Sequence, residues 1–137
     1  MPLSHDAANK VLKHLLGIAA WTQPPAVYLG LSSTTPARDG SNVTEPSGGG
    51  YARKLINPSD WASVANSATE NAVDLIFGTA SATWLAGANL VAFVLYDAAS
   101  SGNFLGYKLI DAAKPVYISD VAKFLAGALD LTLAGAD

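Results

Sequence analysis

The first apolar pattern along the chain has a helical period. From Asp6 to Leu16, steps of about 100° per residue gather Ala7, Ala8, Val11, Leu12, Leu15 and Leu16 into one half-circle and Asp6, Asn9, Lys10, Lys13 and His14 into the other. Ser4 is placed to cap the first turn and Asp6 meets the positive end of the helix dipole. Lys13 and His14 meet the negative end, and Gly17 suits the stop. The pattern predicts an amphipathic helix over about 4–17. Its apolar half-circle has two uses open to it: covering the end or face of a sheet, or docking on a neighbouring subunit.

Beyond the helix the period shortens to two. Ala26 to Ser32 alternates Val27, Leu29 and Leu31, expected inward, with Tyr28, Gly30 and Ser32, expected outward. Further strand candidates are Tyr51–Ile56, a segment around Trp61, and Ala72–Phe77 with Val73, Leu75 and Phe77 on one face. Leu90–Tyr96 is apolar on both faces, which predicts a central strand covered on both sides. The loop 97–103 then joins it to Phe104–Ile110 as a hairpin. Pro115–Ile118 and Ala122–Leu125 read as strands, and so does a last segment in which Leu129, Leu131 and Leu133 alternate with Asp130 and Thr132.

No strand is followed by the helical segment of about 10–15 residues that a parallel crossover needs. The predicted fold is therefore mainly β: an antiparallel β-sandwich, with a jelly roll as a variant, of about seven or eight short strands and one N-terminal amphipathic α-helix. One domain over 1–137 is expected, with the sandwich over about 26–134. Between its first two strands runs a polar stretch, Ser33 to Gly50, containing Pro36, Gly40, Pro46 and three consecutive glycines. Connections of this length more often serve function or an interface than nothing.

Composition narrows the function classes. The 137 residues are 50% hydrophobic and 14% charged, too apolar for a disordered chain. The absence of cysteine removes disulfides, thiolate metal sites and thiol nucleophiles together. Eight Lys and Arg spread along a chain of net charge −3 do not make the clustered cationic face that nucleic acid requires. The longest uninterrupted apolar run, Leu90–Tyr96, is far shorter than the ~20 residues of a membrane span. No basic, apolar leader opens the sequence, so synthesis in the cytosol without cleavage is expected.

The supply of catalytic groups is thin. His5 and His14 lie nine residues apart and point to opposite sides of the predicted helix, so they cannot share a metal there. Glu70 and Asp74 are close in sequence, but Asp74 reads as the solvent side of a strand. There is no Gly-x-Ser-x-Gly elbow. Gly48-Gly-Gly50 lacks the Lys-Ser and the following helix of a phosphate loop. Asn42-Val43-Thr44 matches a glycosylation sequon only by chance, and the single carboxylate of loop 97–103 is too little charge for calcium. The tryptophans and tyrosines read mainly as packing residues, with one or two left for a glycan or partner. No cofactor or metal is expected.

Several segments, in order, resemble a family of small bacteriophage virion proteins described as tail-fibre proteins. Ala8–Leu16, Trp21–Pro25 and Val27–Ser32 are similar to that family's opening helix, Pro-rich step and first strand. Thr44-Glu45-Pro-Ser-Gly-Gly-Gly-Tyr-Ala-Arg53 resembles its most recognisable motif, and Phe93–Leu105 and Phe124–Leu129 resemble later strands. The departures are minor: Lys54 stands in place of an expected amide, and Phe124-Leu125 in place of a Phe-Pro step.

The resemblance implies a virion structural role without catalysis and leaves open a place in a fibre, at the tail or on the capsid shell; the leading expectation is a tail-fibre component made in the host cytoplasm. Its partners would be other virion proteins and copies of itself, with a trimer favoured, and a host glycan or receptor. No nucleic acid or membrane insertion is implied. A capsid decoration protein that clamps the shell and a glycan-binding module are the other readings, with an enzyme behind them. No functional residues come with the family. The assembly candidates are Leu12, Leu15 and Leu16 on the helix, with Tyr51 as an anchor and Arg53 as a partner for a carboxylate or carbonyl, within or between subunits.

Overall fold

The computed structural model describes residues 2–133, so the last position of the predicted sandwich range, 134, lies outside it. Helix α1 (His5–Leu15) starts as its capping residues direct: the Ser4 hydroxyl accepts the Ala7 N–H at 3.0 Å, and Asp6 pairs with Lys10 one turn later at 2.6 Å. Gly17, at φ 69°, ends it. Eight strands follow among the described residues: β1 (Val27–Ser32), β2 (Lys54–Ile56), β3 (Ala68–Glu70), β4 (Leu75–Thr79), β5 (Leu90–Tyr96), β6 (Phe104–Lys114), β7 (Val121–Phe124) and β8 (Asp130–Thr132).

All pairings are antiparallel. Four strands form a sheet in the order β2-β1-β5-β6, while β3 pairs with β8 and β4 with β7 as separate ribbons. The register sets Leu29 opposite Leu95 and Leu31 opposite Phe93, so one face of the sheet is a block of large apolar side chains. The ribbons supply the opposing layer through Leu75, Phe77, Ala122 and Phe124, with Leu129 at the entry to β8. Phe124 packs edge-on against Phe93 at 4.6 Å and against Phe77 at 6.2 Å, a favourable arrangement for ring quadrupoles. No barrel closes among the described residues, and β5 is central as its two-sided apolar pattern predicts.

Some expectations fail for identifiable reasons. The alternation in β1 places Gly30 and Ser32 outward, yet both are buried, because the 33–50 connection folds over that face. The predicted strand at 51–56 contracts to β2, since Tyr51 and Arg53 leave the ladder for contacts described below. Ala72–Phe77 begins only at Leu75, and Val73 is exposed. Pro115–Ile118 is not a strand: the Tyr117 N–H goes to the Asp120 carboxylate and the Ile118 N–H to the Thr83 hydroxyl. Those side chains offer the backbone partners that compete with a ladder. The unpredicted β3 follows a tight turn at Asn66-Ser67, whose φ values of 51° and 61° are those of a two-residue hairpin loop.

The helix meets the sheet at its edge strand β6. The chain before it adds to β6, with Leu3 bridging Gly106 and the Ser4 N–H donating to the Leu105 carbonyl at 2.8 Å. The His5 N–H donates to Arg38, whose Nε returns a bond to Leu3. These bonds hold the first turn. Of the apolar half-circle Ala7 is buried, Ala8 and Val11 are half-buried, and Leu12, Leu15 and Leu16 are exposed.

Candidate functional site

The five residues singled out in the sequence fall into two places. Tyr51 and Arg53 belong to a lock at the edge of the sheet. Gly48, Gly49 and Gly50 take φ values of 73°, 61° and 77°, a left-handed run that side chains resist. A Cβ on Gly50 would stand 2.9 Å from the Thr79 carbonyl. The turn presents the Gly49 carbonyl to the Trp84 indole at 2.8 Å and to the Ser81 N–H at 3.0 Å. Tyr51 then enters the core edge-on to Trp84 at 5.1 Å.

The Tyr51 hydroxyl solves a local problem of the ladder. β2 covers β1 only as far as Leu29, so the Leu31 N–H has no strand partner on that side and donates to the hydroxyl at 3.0 Å. The same hydroxyl donates to Glu45 Oε1 at 2.6 Å. Gly30 lies directly beneath, where a Cβ would collide with the Glu45 carboxylate. Burial, and then the bond to Glu45, push the Tyr51 phenol well above its ordinary value.

Arg53 completes the arrangement. Its Nη2 meets Glu45 Oε2 at 2.6 Å and its Nε lies 3.1 Å from Oε1, a bidentate pair almost out of water. Its Nη1 donates to the carbonyls of Ala98 at 2.9 Å and Ser101 at 2.7 Å, and the guanidinium stacks 3.6 Å above the Tyr96 ring. Burial pulls its pKa down, but the Glu45 carboxylate outweighs that and raises it. Every one of these contacts is within the chain, and together they fasten loop 97–103 to the 33–50 connection. Both oxygens of Glu45 are taken up by these bonds.

Leu12, Leu15 and Leu16 are at the other place, the far end of α1. They are 54%, 76% and 67% exposed, and Ile18 just past the helix is 69% exposed. Gly17 and Ile18 donate back to His14 and Lys13, so this end is a closed turn bearing apolar side chains. Near the base of the helix the space between the layers opens in a cleft of about 450 Å³, walled by Ala7, Trp21, Pro24, Trp61 and Val64.

A family model described as podophage GP4 fiber I protein gp80 matches residues 2–132. The chain belongs to this family. The match runs through the helix, the glycine motif and all eight strands, and the family supports a structural role in a phage particle. A comparison with curated proteins finds no match.

Two of the other candidate groups of this chain are engaged in structural contacts. Asp74 pairs with Lys123 at 3.0 Å and accepts the Ala126 N–H, contacts that hold its carboxyl below the usual range. It therefore serves as an ion-pair partner. His14 Nδ1 accepts the Trp21 N–H at 3.1 Å. Among the described residues, no three His, Asp or Glu gather as metal ligands. Two residues that organise the fold escaped the sequence reading. Glu45 stood inside the recognised motif but had no assigned partner. Asn71 is fully buried and joins Val73, Leu125 and Leu129 through its side chain; an amide before an apolar run gives no sign of that.

Proposed function

We propose that this protein is a tail-fibre subunit that works by assembly, as a homo-oligomer with three copies, and that its loop end faces a host surface or a neighbouring virion protein. The observation that carries the assembly is the exposed apolar end of α1. A helix with three exposed leucines at its far end is costly for a lone chain and ordinary for a subunit. The low charge of the whole chain, 14%, fits a surface with a large share of interface.

The outward role rests on the Glu45–Tyr51–Arg53 lock. Loops 33–50 and 97–103 are held in one arrangement before any partner arrives, and preorganisation of that kind lowers the entropic cost of binding. Nothing in this reading needs catalysis. The test is the mass of the purified protein by light scattering: three times the 14.1 kDa chain is expected. A monomer at all concentrations overturns the assembly reading. Binding to preformed capsids, with a rise in the temperature at which they rupture, would favour the decoration reading instead.

A further inference from the structure

We propose that two polar pockets on either side of the hairpin end at Asn103 form one oligosaccharide-binding groove, with one neutral sugar ring in each. This rests on the reading that the loop end faces a host surface, and it gives that surface a ligand class. The first pocket, about 330 Å³, lies between the two locked loops: Arg38, Asp39 and Gly40 come from the 33–50 connection, and Tyr96, Asn103 and Phe104 from the hairpin. The second, about 320 Å³, lies between the hairpin and the segment Trp21–Pro25. Asn103 lines both, and the Asp6–Lys10 ion pair of α1 spans them, with Asp6 in the first and Lys10 in the second. Each chamber is at the small end of the ~300–1,000 Å³ of ligand pockets, so two that share their walls suit two linked rings.

The walls are set before a ligand arrives. Gly40, at φ 86°, lies so close to the hairpin that a Cβ on it would stand 3.1 Å from the Cβ of Phe104. The Arg38 carbonyl accepts the His5 N–H at 2.9 Å, and Arg38 Nε donates to the Leu3 carbonyl at 3.0 Å, which fixes the guanidinium and leaves its two Nη groups for a ligand. Asp97 accepts the Asn103 N–H at 2.6 Å and the Asn103 Nδ2 at 2.7 Å, so the amide oxygen of Asn103 is left as an acceptor. Behind this wall Arg53 holds the Ala98 and Ser101 carbonyls, so the lock steadies the groove as well. Little ordering remains to be done on binding.

The mix of groups selects the ligand class. A sugar hydroxyl donates and accepts at once, and here it meets carboxylates beside a guanidinium, an ammonium and the amides of Gln23 and Asn103. Asp39 binds Ser41 through Oδ1, which leaves Oδ2 to accept. Trp21, half-buried and held by its backbone N–H on His14 Nδ1, walls the second pocket with an indole on which the C–H face of a ring can lie. An anionic ligand fits poorly, because Asp6, Asp39 and Asp97 outnumber Lys10 and Arg38. Hydrogen bonds from Ser41 and Asn103 hold the carboxyls of Asp39 and Asp97 below the usual range, so both stay charged.

The test uses the purified protein and cells of the bacterium that the phage infects. Wild type should adsorb to the cells; periodate, which cleaves the vicinal diols of sugars, should abolish adsorption, and protease treatment of the cells should not. R38A and Q23A change exposed side chains in different pockets. They should weaken adsorption by about tenfold and about fivefold, the effect of losing a charged and a neutral hydrogen-bonding partner, with unchanged circular dichroism. The oligosaccharide released from those cells should compete, and its component single sugars should compete about tenfold less well. Adsorption that survives periodate, or variants that adsorb as wild type does, would overturn the groove and leave the host-facing reading standing. Adsorption lost to protease would assign a protein receptor and overturn the groove in the same way. Single sugars that compete equally well would overturn the two-ring fit. A wild type that does not adsorb overturns both readings.

Discussion

At Arg53 one guanidinium reaches three segments: the Glu45 carboxylate, the carbonyls of loop 97–103 and the Tyr96 ring. Its side chain is 8% exposed, so removing it strands a carboxylate that is itself only 18% exposed. R53A should therefore cost about 3 kcal/mol or more in urea denaturation. It should also speed amide exchange in 97–103. An unchanged midpoint with unchanged exchange would show the lock to be idle. Tyr51 makes a prediction in pH. Its folded pKa lies above the ordinary 10.0, so its contribution is fully present below pH 10 and is lost as pH rises towards the folded value. The stability advantage of wild type over Y51F should shrink by about 1 kcal/mol between pH 10 and 11; a constant difference would contradict the assignment. Asn71 supplies the third case: N71A leaves the Leu129 N–H and the Leu125 carbonyl without their side-chain partner and should lose about 3 kcal/mol.

The elements were legible wherever a local rule decided them. α1 declared itself through its period and its Ser4 cap, and S4A should cost about 1 kcal/mol of stability. β5 declared itself by being apolar on both faces, and the 97–103 hairpin followed from it. What was not legible depended on partners far along the chain. The burial of Gly30 and Ser32 needs the 33–50 connection to fold back, and the alternation within β1 carries no trace of it. The loss of a strand at 115–118 turns on Asp120 and Thr83 accepting backbone N–H groups. For α1 the wheel showed an apolar half-circle but not which surface would cover it. The fold answers half of that: Ala7 is buried, while Leu12, Leu15 and Leu16 stay exposed. L12D should consequently keep the thermal midpoint within a degree or two while lowering the oligomer mass. A large loss of folding would mean that this face belongs to the core after all.

At the scale of the whole molecule, the eight strands do two jobs. They bury one shared core, and they carry two exposed features: the locked loops beside β5 and the apolar end of α1. The family match establishes a phage fibre class. The place of this chain in the particle is the central claim, and it is tested most directly by gold-labelled antibody against the protein on intact virions in the electron microscope. The account predicts label on thin appendages at the tail. Label spread over the capsid shell would contradict it.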